Sequence, residues 1–241
     1  MLGFPDRALA RVEESVTLAR KLSHPPSDLH ALYYTTVLHQ LRRDAAATRQ
    51  QTEALIQMAH DRLPSWIPSA NLLMALIPAL EGQQQARAAM TKIKEAQAIA
   101  LSGDVEGNGF ILCLFAGVCG LAGEIETGLN ALESAIADVA ASGARLWESE
   151  LHRIAGNLLL ASAAPDPEQI ESHYLRAIEV ARGQHALSLE LRASMSLARL
   201  WADRGERRKA YDRLAPVYAR FREGFDTPDL MDAKMLLDEL L

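Results

Sequence analysis

The sequence predicts an all-α fold, an α-solenoid of helix pairs repeating about every 40 residues, on three observations. The first is composition: 49% of the 241 residues are apolar, aromatics are only 5%, Leu and Ala dominate, and β-branched runs are almost absent, which favours helix throughout. The second is a repeated column of small residues, each followed four positions later by a larger one. It begins at Ala8, Ala47, Ala86, Gly128, Ile170 and Ala210, continues at Val12, Gln51, Met90, Leu132, Tyr174 and Leu214, and ends three residues on at Ser15, Ala54, Ile93, Ala135, Ala177 and Val217. The third is a pair of glycine ladders. Gly3, Gly82, Gly123 and Gly205 precede the second helix of each pair, and Gly103, Gly143, Gly183 and Gly224 follow it. Glycine past a helix end takes the left-handed conformation without a Cβ penalty.

The clearest pair lies at Trp147 to Arg182. Leu151, Ile154, Ala155, Leu158 and Leu159 fall on one helical face, as do Ile170, Tyr174, Ala177, Ile178 and Ala181. Asp166 is placed to cap the second helix, with Pro167 at its first position and Gln169 completing a capping box. In chain order the pattern predicts an unpaired second helix over 3–22, then pairs at 27–42 with 44–63, 65–80 with 83–102, 108–122 with 124–142, 146–163 with 166–182, and 186–204 with 206–222. A last helix over 228–241 follows Thr227 as N-cap. It turns Leu230, Ala233, Leu236, Leu237 and Leu240 inward and Asp229, Asp232, Lys234 and Asp238 outward, a polar cap for the array. Where the first ladder lacks a glycine, Asp44 and Asp166 cap instead. Linkers of two to five residues suit antiparallel neighbours, and no Pro/Gly/Ser-rich segment divides the chain. One continuous domain over 1–241 is therefore expected, with an incomplete first repeat at 3–22 and a capping helix at 228–241.

Net charge of −6 argues against a nucleic-acid partner. The basic clusters Arg42-Arg43 and Arg207-Arg208-Lys209 fit solvated turns. The uncharged run Leu63–Leu80 is broken by Pro64, Pro68 and Pro78, and Phe110–Gly123 is shorter than the ~20 residues a bilayer requires, so no membrane contact is expected. The opening segment, MLGFPDRALARVEES, lacks an apolar core of signal-peptide length, so no targeting segment is expected in it. Cys113 and Cys119, six apart on one helix, fit buried thiols in a reducing cytoplasm.

The small-x3-large-x2-small column resembles the tetratricopeptide repeat, with a longer period and only Gly156 matching the small residue of that family's first helix. A closer resemblance runs through GFPDRAL (3–9), LHQLRRD (38–44), ESELHR (148–153), LELRASMSLARLW (189–201), LAPVY (214–218) and EGFDTPDLMDAKMLLDEL (223–240). These segments are similar to the C-terminal tetratricopeptide region of large bacterial regulatory ATPases, in which a nucleotide-binding module precedes the repeats and a class III cyclase or DNA-binding domain often stands further upstream. The resemblance implies a right-handed solenoid. It carries over no catalytic residue, since the sequence contains no GxxxxGK[ST] phosphate loop. It also places the opening helix mid-array, so the chain reads as a fragment, a short gene product or a trimmed piece. Leu9, Val12 and Val16 would then be partly uncovered, ready to pair with a second copy as a homodimer or to dock upstream domains.

Candidate chemistry is sparse. Seven histidines form neither HExxH nor a Cys/His cluster, so no metal or other cofactor is expected. Ser65, Ser149 and Ser188 sit near helix starts without GxSxG and read as caps. Glu148 and Glu150, two apart, point to different faces and read as first-turn carboxylates favoured by the helix dipole. Trp66, Trp147 and Trp201 read as inter-repeat packing. Tyr33 and Tyr34 lie on a first helix, the one lining the concave surface in tetratricopeptide arrays, and at most one of the two is fully buried. Glu150, Arg153 and Asn157 form one stripe and Arg192, Ser196 and Arg199 the matching stripe on the next first helix. Together they suit a peptide carboxylate or acidic side chains, with a solvated face of ion pairs as the plainer alternative. The expected function is a non-catalytic protein-interaction or sensing arm, in the cytoplasm, binding a peptide or partner domain in its groove. A stand-alone peptide-binding adaptor is the alternative within that class, and a helical-repeat enzyme the alternative outside it.

Overall fold

The computed structural model describes residues 1–101 and 108–241, and among them every regular element is helical. In chain order these are α1 (Pro5–Leu22), α2 (Pro25–Leu41), α3 (Ala45–Arg62), α4 (Ile67–Leu76), α5 (Pro78–Glu81), α6 (Gln83–Leu101), α7 (Asn108–Ala122), α8 (Ile125–Ser142), α9 (Glu148–Leu160), α10 (Pro167–Gly183), α11 (Leu187–Asp203), α12 (Arg207–Tyr218) and α13 (Pro228–Leu240). Single 3₁₀ turns, Pro64–Trp66 and Arg145–Trp147, lead into α4 and α9. The helices divide into two compact units. One comprises Asp6–Asn108 and Leu121–Gly123, the other Met1–Pro5, Gly109–Gly120 and Glu124–Leu241.

In the first unit α2 packs on α3, α3 on α4, and α4 and α5 on α6. Asp44 caps α3 by accepting from the Ala47 N–H at 2.9 Å. Arg43 takes the left-handed conformation, φ 56°, at the position where neighbouring repeats carry glycine. The expected column Ala47, Gln51, Ala54 is displaced by one residue: Ala54 is exposed, and Thr48, Thr52, Leu55 and Ala59 face the core. Two threonines can do so because their hydroxyls donate to the carbonyls of Asp44 and Thr48, one turn back, leaving only methyls to pack. The predicted helix over 65–80 is interrupted, because Pro78 has no N–H to donate and begins a separate turn. In α1 only Ala19 is buried, and Leu9, Val12 and Val16 are half-covered.

In the second unit α8 packs on α9, α9 on α10, α10 on α11, α11 on α12 and α12 on α13. Alternate helices also meet, α9 with α11 and α11 with α13. The predicted columns from Gly128 to Val217 are buried. Glycine sets the spacing: a methyl at Gly128 would lie 2.7 Å from Leu158 Cδ1, and one at Gly120 2.8 Å from Cδ2 of the same residue. Leu158 of α9 therefore enters a notch that α7 and α8 leave open. Asp166 caps α10 through the N–H groups of Glu168 and Gln169. Thr227 does not cap α13 with its side chain; its hydroxyl donates instead to the Gly224 carbonyl at 2.6 Å. The helix expected over 206–222 ends at Tyr218, in the turn that contains Pro216.

The second glycine ladder holds at Gly143, a left-handed C-cap with φ 74°, but not at Gly183, the last residue of α10, where His185 takes the left-handed turn instead. Gly103 lies outside the described residues. Met1–Pro5 lie against the start of α11. The Met1 carbonyl accepts from Ser188 N–H at 2.9 Å, and the Met1 side chain packs on Ala181, Ala186 and Leu189.

Candidate functional site

The segment ESEL opens α9 with three polar side chains that are all buried, Glu148, Ser149 and Glu150. Each is satisfied across the helix packing. Ser149, expected as a cap, donates to the Ala177 carbonyl on α10 at 2.9 Å. Glu148 accepts from Arg145 at 2.5 Å and from Arg176 of α10 at 2.9 Å. Glu150 accepts both arms of Arg153, at 2.6 and 2.9 Å, a bidentate fork. The carboxylates read as first-turn residues are thus fixed mainly by arginines.

Glu150 also faces Arg192 of α11 at 3.5 Å, and Arg192 in turn donates to Asp229 of α13 at 2.6 Å. A chain of alternating charge, Arg153–Glu150–Arg192–Asp229, therefore crosses α9, α11 and α13. Burial alone would raise the Glu150 carboxyl pKa, but Arg153 and Arg192 outweigh it and hold it at about 2. Burial would likewise lower the two arginines, and their carboxylate partners raise both. Glu150, Arg153 and Arg192 therefore stay charged at neutral pH. Asp229, expected to face outward, is half-buried as the last link.

Beside this chain the same helices carry the remaining stripe residues. Asn157 and Arg199 are exposed and Ser196 is half-buried. Asn157 Oδ1 accepts from the Tyr174 hydroxyl at 2.8 Å, so the tyrosine that fills the space beside Gly156 also orients the asparagine. Tyr33 and Tyr34 belong to the other unit. Tyr33 is buried and meets Trp66 edge-on at 5.8 Å, and Tyr34 is 58% exposed. Trp147 packs against Phe110, and Trp201 lies beneath Lys209 with its indole N–H donated to Glu171. Both cysteines are buried thiols.

Two features escape the reading of sequence. His152 and His173, on α9 and α10, bring their Nδ1 atoms to 3.2 Å. Burial lowers both, and for His152 the adjacent ring adds to that, bringing it to about 4. Glu190, 2% exposed, sits between Arg182 and Arg220. The 42-residue interval from Glu148 to Glu190 repeats a buried first-turn carboxylate in α9 and α11, the one sequence signal for the second feature. Among the described residues no group of three or more His, Cys, Asp or Glu could hold a metal ion, and no helix is long and apolar enough to cross a membrane.

The all-helical chain thus carries polar chemistry that is largely ion pairing across helix interfaces. No protein-family model and no curated protein matches it.

Proposed function

We propose that the chain is a right-handed α-solenoid of tetratricopeptide-like pairs. It would serve as a non-catalytic protein-interaction arm of a bacterial regulatory ATPase, working in the cytoplasm. What carries the reading is the alternating-charge chain Arg153–Glu150–Arg192–Asp229 across α9, α11 and α13. There α9 meets α11 and α11 meets α13, contacts that stacked hairpins would make, and Asn157, Ser196 and Arg199 stand beside the charge chain on α9 and α11. The ion pairs act as the frame and the three outer residues as the contact row. An extended peptide with an acidic group fits that row, with Arg199 receiving the carboxylate and Asn157 and Ser196 receiving main-chain groups.

The test compares affinity capture by the wild-type chain and by Arg199→Glu, an exposed change that leaves the melting temperature in place. A set of bound proteins lost from the variant is the expected result, and an identical set overturns the assignment. Homodimerisation through α1 belongs to the same reading, since Leu9, Val12 and Val16 are only half-covered and Leu18 and Leu22 are exposed. Sedimentation of Val12→Lys should then give a smaller species than wild type.

A further inference from the structure

A cleft of about 700 Å³ opens among α10, α11 and α12. At its inner end Glu190, 2% exposed, accepts from Arg182 Nε and from Arg220 Nη1, each at 2.6 Å. One buried carboxylate is thus shared by two guanidiniums. A third, Arg213, lines the same cleft. Its pKa is held down by burial and by the neighbouring Arg182, against the opposing pull of Glu190, so it sits in a field that already carries excess positive charge. Further out, Arg208 is paired with Asp212 at 3.0 Å, and Lys209 lies 3.9 Å from the centre of the Trp201 ring while also holding Glu206 at 2.8 Å. The lining holds five cations against two carboxylates, and the Glu206 bound by Lys209 makes a third, leaving a surplus of two, in a chain whose net charge is −6.

Like charges gathered at this density repel, and an incoming dianion relieves the repulsion. Guanidinium forks match the oxygens of a phosphate, and a dianion offsets more of the surplus than a single added carboxylate does. The volume lies within the range of small-ligand sites, and Pro216 gives the cleft an apolar wall. We propose that this cleft binds the phosphate group of a small phosphate monoester, with Arg213 as its principal ligand and Arg182 and Arg220, held by Glu190, as the flanking donors. The site is independent of the peptide-binding reading, which rests on α9, α11 and α13 residues that the cleft does not include.

The experiment is an NMR titration of the full chain at fixed ionic strength, following the Trp201 indole and arginine Nε resonances. Inorganic phosphate is one arm and glycerol 3-phosphate the other. Saturable shifts at these resonances are expected, with Arg213→Gln weakening binding tenfold or more and Arg213→Lys, which keeps the charge but loses the fork, weakening it less. Tighter binding of the ester assigns the site to phosphate esters, and equal binding assigns it to phosphate itself. Shifts that stay linear with concentration, or an Arg213→Gln protein that binds like wild type, overturn the proposal. Arg213 is only half-buried, so its variants should fold. If Arg213→Gln does not, Arg213→Lys decides, and wild-type affinity there counts against the site.

Discussion

At Gly156 a methyl group would lie 2.5 Å from Cε1 of Tyr174, so the smallest residue of α9 and the largest of the α10 column are a matched pair. Gly156→Ala should destabilise the protein by about 1–3 kcal/mol through overpacking. Combining it with Tyr174→Leu should cost less than the two single changes added, a non-additivity readable in urea unfolding. Glu150 presents the opposite case, a residue whose loss leaves like charges behind. Glu150→Gln strips Arg153 and Arg192 of their shared partner and should cost about 3 kcal/mol; an unchanged unfolding midpoint would show that the pairing is worth no more than an exposed one. Sequence exposed half of this arrangement. Helical spacing put Glu150 with Arg153 and aligned Arg192 beside them, because those relations are local or follow the repeat. Asp229 and Arg220 escaped, because a helical wheel shows which way a side chain faces but not which residue of another helix faces it.

Among the elements, boundaries followed the glycine and aspartate signals wherever the backbone requires them. Gly82, Gly123 and Gly205 all have positive φ, as does Arg43 at the rung without a glycine. The failures share a cause, in that local chemistry did not fix the register. Thr48 and Thr52 read as polar, yet their hydroxyls are satisfied within α3. At the end of α10 glycine and left-handed turn are out of step: Gly183 is helical, with open space where a Cβ would stand, and exposed His185 carries φ 54°. Exchanging the two, as Gly183→Ala with His185→Gly, should stabilise by about 1 kcal/mol in total, since each change removes a mismatch between residue and backbone. A lower melting temperature for the double variant would contradict the assigned turn. In α1 the apolar face is real but Ala19 is its only buried residue within one copy, so at concentrations low enough to dissociate the proposed dimer its amides should exchange well before those of α9 to α11.

For the whole molecule, summed charge concealed its distribution. A net −6 argues against anionic partners, yet Arg182, Arg208, Arg213 and Arg220, dispersed over about forty positions, converge on one cleft. Nor did composition mark the division into two units, which rests on contacts that no linker signals. The same clustering of charge makes a prediction for the response to acid. His152 and His173 have pKa values held below the usual 6.5, His152 at about 4. Between those limits the unfolded chain binds protons that the folded chain refuses, so stability present above pH 6.5 is lost as pH falls toward 4. Glu148, Glu150 and Glu171 are likewise depressed from 4.5, Glu150 to about 2, and their contribution is lost between pH 4.5 and 2. Urea midpoints measured from pH 8 to 2 should therefore decline in two stages. His152→Gln should flatten the upper stage, worth about 2 kcal/mol at most because the pair is only half-buried, and leave the lower one standing. Glu150→Gln should lower the neutral plateau and flatten the lower stage. Superimposable wild-type and His152→Gln profiles between pH 6.5 and 4 would mean that the two rings do not share the close, desolvated contact that joins α9 to α10.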